Sequence, residues 1–172
     1  MILREANNRP QIKEEAKKMR LWHKDLIPYL PDLQLKGQWR ECALIADALA
    51  KNGTPNHLLV NRVTEYPIVD FWIYCEKIEK EMKRRGFHIL SKTKDNIKKH
   101  LYDYMNNNGQ LLMFYDRNKK VFDGWHNIEY LRICYANLLE KHNGIGKSRI
   151  TDQEWQRLCE GYKAITGEEY KI

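Results

Sequence analysis

One spacing constrains this chain more than any other feature: apolar residues return every three or four positions in long stretches closed by stop signals. Over residues 32–51, Leu35, Trp39, Cys42, Ala46 and Leu49 keep this register until Asn52-Gly53 ends it. Ile68, Phe71, Trp72, Cys75, Ile78 and Met82 form the clearest stripe, and Arg84-Arg85-Gly86 supplies positive charge and a C-cap glycine at its end. Glu76/Lys80 and Glu79/Lys83 are spaced for i,i+4 pairs on its outer face. Three more helices are predicted over 93–107, 126–142 and 152–166, the last opened by the capping-box sequence Thr151-Asp152-Gln153-Glu154 and closed by Gly167. With a short helix before Pro67, these predict a mainly α fold, a compact bundle of about six helices with little or no sheet.

The intervening pieces read differently. "DLIPYLP" (25–31) predicts an extended, proline-stiffened lead into the first long helix, and Pro10 permits a short helix from Gln11. "LLMFYDRNKKVFDGW" (111–125) fits either a small hairpin or an apolar crossing. The expected organisation is an N-terminal extension (1–18), a helical domain (19–107) and a C-terminal helical part packed on it (108–172).

At 172 residues, 42% hydrophobic and 31% charged, the composition suits one soluble domain. Nothing approaches the roughly 18 apolar residues of a membrane span, and no signal peptide is evident, so a cytoplasmic monomer is expected. Cys42, Cys75, Cys134 and Cys159 are widely separated and read as small buried hydrophobes. Thirty Lys and Arg against 23 Asp and Glu give +7, a balance that favours a polyanionic partner without requiring one.

Phosphate-binding glycine loops, G-x-S-x-G elbows and H-E-x-x-H helices are missing, and no two histidines stand four apart, so no metal and no organic cofactor are expected. The pair Arg40-Glu41 lies at the rim of the buried stripe of its helix, beside a face carrying Gln34 and Gln38. Taken alone, such a pair is ordinary solvated charge.

Four blocks change its weight. "MRLWHKDLIPYLP", "LKGQWREC", "GTPNHLLVNRV" and "EMKRRGF" resemble, in order and spacing, the pyrimidine-dimer DNA glycosylase family typified by phage endonuclease V, in the bacterial and phage branch that begins M-R-L-W-H. The resemblance runs from Met19 to Phe87, and "FDGWHNIEYLRICYANLLEKHNGIG" with "TDQEW" is similar to that branch's C-terminal part. It implies an enzyme that attacks the sugar C1′ of a damaged nucleotide with an amine, forms a Schiff base and breaks the strand by β-elimination. The implied partner is double-stranded DNA with damaged bases.

By motif match, the implied catalytic glutamate is Glu41, and Met19 supplies the α-amine if the chain starts there. An α-amine, with a reference pKa of about 7.7–8.0, is more readily neutral than a lysine at about 10.4. Arg20 matches a phosphate-contacting arginine. Trp22, His23, Gln38, Arg40 and His57 complete the implied DNA-binding set, with Trp22 read as core or as a wedge beside a flipped nucleotide. A second arginine expected three residues beyond the glutamate is Leu44 here.

Lys13-Glu14-Glu15 can be encoded by a purine-rich ribosome-binding sequence ahead of Met19, from which a start at Met19 is expected. Three readings of the amine stay open: Met19, a lysine such as Lys24, or loss of the lyase step. Outside the family, the alternatives are a non-catalytic helical nucleic-acid-binding module and an interaction protein with an incidental basic balance. Lys83-Arg84-Arg85 and residues 92–99 are further basic surface, readable as a DNA track or as solvated charge.

Overall fold

The computed structural model describes residues 20–57, 60–110, 120–144 and 150–168. Five α-helices and two 3-10 helices make up the regular structure there: η1 (Lys24–Tyr29), α1 (Asp32–Asn52), η2 (Asn61–Glu65), α2 (Ile68–Arg84), α3 (Ser91–Asn107), α4 (Ile128–His142) and α5 (Asp152–Thr166). No strand occurs among the described residues, so the chain is the all-α bundle that its periodicity predicts.

Each helix ends where its sequence says it should. Gly53 closes α1 in the left-handed conformation, at φ 71°, and its N–H bonds to the Leu49 carbonyl. Thr151 and Glu154 form the full capping box of α5. α4 begins two residues later than predicted because Asn127 is its cap, accepting from the Tyr130 N–H at 3.0 Å. His126 is thereby left outside the helix, buried in an aromatic stack with His23, Phe122 and Trp125.

The segment expected to be extended is instead η1. Proline's fixed φ suits a 3-10 turn, so Pro28 sits inside it without strain. The His23 ring accepts from the Asp25 N–H at 3.2 Å and caps the turn. Carbonyls at the far end of η1 are taken up by two arginines: Arg85 donates to Leu30 O at 2.6 Å and Pro28 O at 3.0 Å, and Arg157 donates to Leu30 O at 3.1 Å. Arg85 also pairs with Glu81 at 2.6 Å and Asp32 at 2.8 Å, its side chain almost enclosed. It is therefore part of the scaffold, and the other two cations of the basic run 83–85 are paired as well, Lys83 with Glu79 and Arg84 with Glu81.

α1 packs on α3 and α2, α5 packs on η1, and α4 packs on α5. Gly161 of α5 lets the Tyr29 ring of η1 approach so closely that a Cβ there would collide with it. The core holds Leu35, Trp39, Cys42, Ala46 and Leu49 from α1, with Ile68, Phe71, Cys75, Ile78 and Met82 from α2. Trp72 is only half-buried and donates its Nε1–H to Glu76 at 3.2 Å. Cys42, Cys75 and Cys134 are buried free thiols and Cys159 is half-buried. The predicted helix at Gln11, and most of the predicted hairpin or crossing over 111–125, lie outside the described residues; 121–125 are turns. No helix among the described residues is long and apolar enough to cross a membrane.

Candidate active site

Residues 20–23 run between three helices, each of which bonds to their backbone. From α1, Gln38 Oε1 accepts the Trp22 N–H at 2.8 Å. From α2, the Tyr74 hydroxyl donates to the Trp22 carbonyl at 2.7 Å and lies 3.1 Å from Gln38 Oε1. From α4, the Tyr130 hydroxyl donates to the Leu21 carbonyl at 2.5 Å. Buried backbone groups need such partners, and here they come from residues 16, 52 and 109 positions away in sequence.

This clamp orients the glutamate. With Oε1 committed to Trp22, the Gln38 amide must turn its Nε2–H outward, and it donates to Glu41 Oε2 at 3.0 Å, one helical turn on. The Arg20 backbone hydrogen-bonds to the same carboxyl. Burial pushes the Glu41 pKa up to about 7, against the pull of Arg20, Lys141 and Arg40, whose positive charges favour the ionised form. At neutral pH this carboxyl is close to half-protonated, which lets it both give and take a proton.

The expected site residues fall into three groups. Glu41, Arg20 and Arg40 come together: Arg20 is half-buried, its guanidinium 5.2 Å from the Trp22 ring centre, and Arg40 is exposed on the outer side of α1. Trp22, His23 and Gln38 are 5%, 2% and 1% exposed. Gln38 bonds to the Trp22 N–H and to Glu41, and His23 caps η1. Trp22 lies in the hydrophobic core cluster. His57 lies apart, in the loop after α1, its N–H donating to Asn61 Oδ1 at 2.8 Å, and is not among the groups acting on Glu41. Met19 lies outside the described residues.

Lys24, the substitute amine considered from sequence, donates its Nζ to the His126 carbonyl at 3.0 Å. Its charged neighbours are Asp25, Asp123, Lys77 and Lys120, a set that shares no member with the groups around Glu41. Sequence reasoning missed Lys141, which enters from the last turn of α4, about 100 residues after Glu41. Only the basic residues ending that helix hinted at it, and they read equally as dipole complements. Leu44, where the resemblance expects an arginine, is 59% exposed on α1, on the same face as Arg40. No group of three or more His, Cys, Asp or Glu able to hold a metal ion forms among the described residues.

No curated protein and no solved structure matches the chain. Residues 19–95 match the family model described as pyrimidine dimer DNA glycosylase. That segment opens one residue before Arg20, contains Arg40 and Glu41, and ends within α3, so α4 with Tyr130 and Lys141 adds a wall from beyond the matched part. Residues 19–95, a little under half of the chain, are thus similar to the pyrimidine dimer DNA glycosylase family, which acts on damaged DNA.

Proposed function

We propose that the protein excises damaged bases of the pyrimidine-dimer type from double-stranded DNA, with Glu41 as the catalytic carboxyl and an amine that captures the sugar C1′ as a Schiff base. The supporting observation is Glu41 itself, a buried-side carboxyl with a pKa raised to about 7, held by Gln38 and ringed by Arg20, Arg40 and Lys141. Loss of a base develops positive charge on the sugar. Ionised Glu41 stabilises that charge, and its protonated form supplies a proton to the departing base or the ring oxygen. The surrounding cations suit the phosphates flanking the lesion, whose neutralisation releases counterions and makes binding salt-dependent. The α-amine of a chain starting at Met19 is one amine that would serve.

The test is strand nicking and base release on UV-irradiated against untreated plasmid, with chains starting at Met1 and at Met19. Glu41→Gln is expected to abolish base release while DNA binding persists. Salt-sensitive binding to undamaged DNA, with no nicking by either chain, would instead support a non-catalytic nucleic-acid-binding module.

A further inference from the structure

We infer that Tyr130 is a positioning residue for the carboxyl of Glu41, acting on it through a chain of three hydrogen bonds that crosses one backbone peptide unit. The inference rests on the glycosylase reading and adds to it a residue beyond the matched segment.

The peptide that joins Leu21 to Trp22 is held at both edges. Its carbonyl accepts from the Tyr130 hydroxyl of α4 at 2.5 Å, and its N–H donates to Gln38 Oε1 of α1 at 2.8 Å. The same Gln38 amide donates its Nε2–H to Glu41 Oε2 at 3.0 Å. No cis bond occurs among the described residues, and in a trans peptide the C=O and N–H point to opposite sides. Tyr130 and Gln38 therefore face each other across one rigid plane. Donation along such a chain polarises the next member. A hydroxyl on the Leu21 oxygen makes the Trp22 N–H a better donor to Gln38, and the Gln38 amide in turn a better donor to Glu41.

Tyr130 is built for that one bond. Its ring lies against His126 and Trp125, with centroids 5.0 and 5.7 Å away, which fixes the direction of the hydroxyl. Burial raises the hydroxyl pKa, so the group stays a protonated donor. The carbonyl it meets belongs to Leu21, a residue with no exposed surface, so bulk water does not replace it. Tyr74 takes the following carbonyl, that of Trp22, at 2.7 Å and does not duplicate the contact. Tyr135, on the same helix, donates its hydroxyl to Cys159 Sγ of α5 at 3.1 Å and supplies a comparison.

Glu41 is faced by Arg20 from the 20–23 segment, Lys141 from α4 and Arg40 from its own helix, with the uncharged Cys42 thiol and Tyr74 hydroxyl of α1 and α2 near it. Tyr130→Phe removes none of these groups, so a change in the titration of Glu41 reports on the chain of hydrogen bonds. A bond donated to the carboxylate favours its ionised form. Weakening that bond raises the Glu41 pKa above its wild-type value of about 7.

The experiment compares wild type, Tyr130→Phe and Tyr135→Phe as full chains starting at Met1 and at Met19. The Glu41 carboxyl is titrated by carbon NMR, and single-turnover base release from UV-irradiated duplex is followed beside duplex binding. Tyr130→Phe is expected to raise the Glu41 midpoint by about half a pH unit and to slow base release about tenfold, with binding changed by less than about threefold. Tyr135→Phe is expected to leave all three as in wild type. Tyr130→3-fluorotyrosine, nearly isosteric and a stronger donor, is expected to lower the midpoint, and it decides if Tyr130→Phe does not fold. An unmoved midpoint, base release at the wild-type rate in Tyr130→Phe, or the same effects in Tyr135→Phe overturn the Tyr130 assignment and leave the glycosylase reading standing. No base release by wild type overturns the glycosylase reading, and the role of Tyr130 in that reaction with it.

Discussion

Gln38 and Glu41 are joined within one turn of α1, the Gln38 Nε2 donating to Glu41 Oε2 at 3.0 Å while its Oε1 is held by the Trp22 N–H at 2.8 Å. One amide therefore fixes both the buried 20–23 segment and the carboxyl proposed to act on DNA. Gln38→Met, of similar length and apolar, leaves the Trp22 N–H without its acceptor and Glu41 without its side-chain donor. A loss of about 2–3 kcal/mol is expected from the orphaned buried donor, with base release falling more than DNA affinity. Urea denaturation measures the first. Single-turnover excision beside fluorescence anisotropy measures the second, and an equal loss in both would deny Gln38 its positioning role.

Glu41 carries its proton to higher pH in the folded chain than in the unfolded one, about 7 against 4.5. The sign follows: folding is fully favoured below about 4.5, and stability is lost as pH rises through about 7, because the folded state must then ionise a sheltered carboxyl. The loss is at most on the order of 3 kcal/mol, at 1.36 kcal/mol per pKa unit, and less to the extent that water reaches the group. Glu41→Gln retains an acceptor for Gln38 and cannot ionise. It should match wild type near pH 4.5 and exceed it by about 1–3 kcal/mol at pH 8. Melting curves at the two pH values decide, and a variant no more stable at pH 8 than at pH 4.5, relative to wild type, would contradict this account. A functional carboxyl held at the expense of stability is the expected trade-off.

Arg85 answers a different question, because in sequence it belongs to the basic run 83–85. In the fold it bonds to Glu81, Asp32 and the Leu30 and Pro28 carbonyls. Arg85→Ala removes a nearly buried guanidinium, but Glu81 keeps Arg84 and the Leu30 carbonyl keeps Arg157, so the expected cost is about 1–3 kcal/mol. The salt dependence of DNA binding by the surviving folded fraction should not change. A slope reduced as if one phosphate contact had gone would return Arg85 to the DNA surface.

Gly161 reverses the usual helix rule. In an exposed helix interior, glycine to alanine gains about 1 kcal/mol. Here the added methyl would meet the Tyr29 ring, so Gly161→Ala is expected to destabilise by about 1–3 kcal/mol through overpacking between α5 and η1. Adding Tyr29→Ala should recover much of the alanine penalty in a double-mutant cycle. Simple additivity of the two changes would disprove the contact.

These residues show what the sequence made legible. Apolar spacing and stop signals located the helices because both are local properties, read within four residues. Glu41, Arg20 and Arg40 were singled out because they sit in blocks that resemble those of a family. The roles of Gln38, Tyr74, Tyr130, Arg85 and Lys141 were hidden because each depends on a partner brought close only by folding: Tyr130 to Leu21 across 109 positions, Arg85 to Leu30 across 55. Burial of Trp22 and His23 was equally invisible, since an aromatic residue beside a basic one looks the same in a core as on a DNA surface. Pro28 misled because proline fits extended chain and a 3-10 turn equally well, and only the capping by His23 selects the turn.

Leu44 offers a gain where the other changes impose losses. It is 59% exposed, four residues after exposed Arg40, and so projects from the same side of α1. If this side faces the phosphates next to the lesion, Leu44→Arg adds one contact. The slope of log K against log salt concentration should then steepen by about 0.9, and low-salt affinity should rise, at a stability change within about 0.5 kcal/mol for an exposed site. Arg40→Ala should shift the slope by a similar amount in the opposite direction. Anisotropy titrations of duplex DNA at several salt concentrations give both numbers. Two unchanged slopes would turn this side of α1 away from the DNA and leave Arg20 and Lys141 as the cations that flank Glu41 on the bound face.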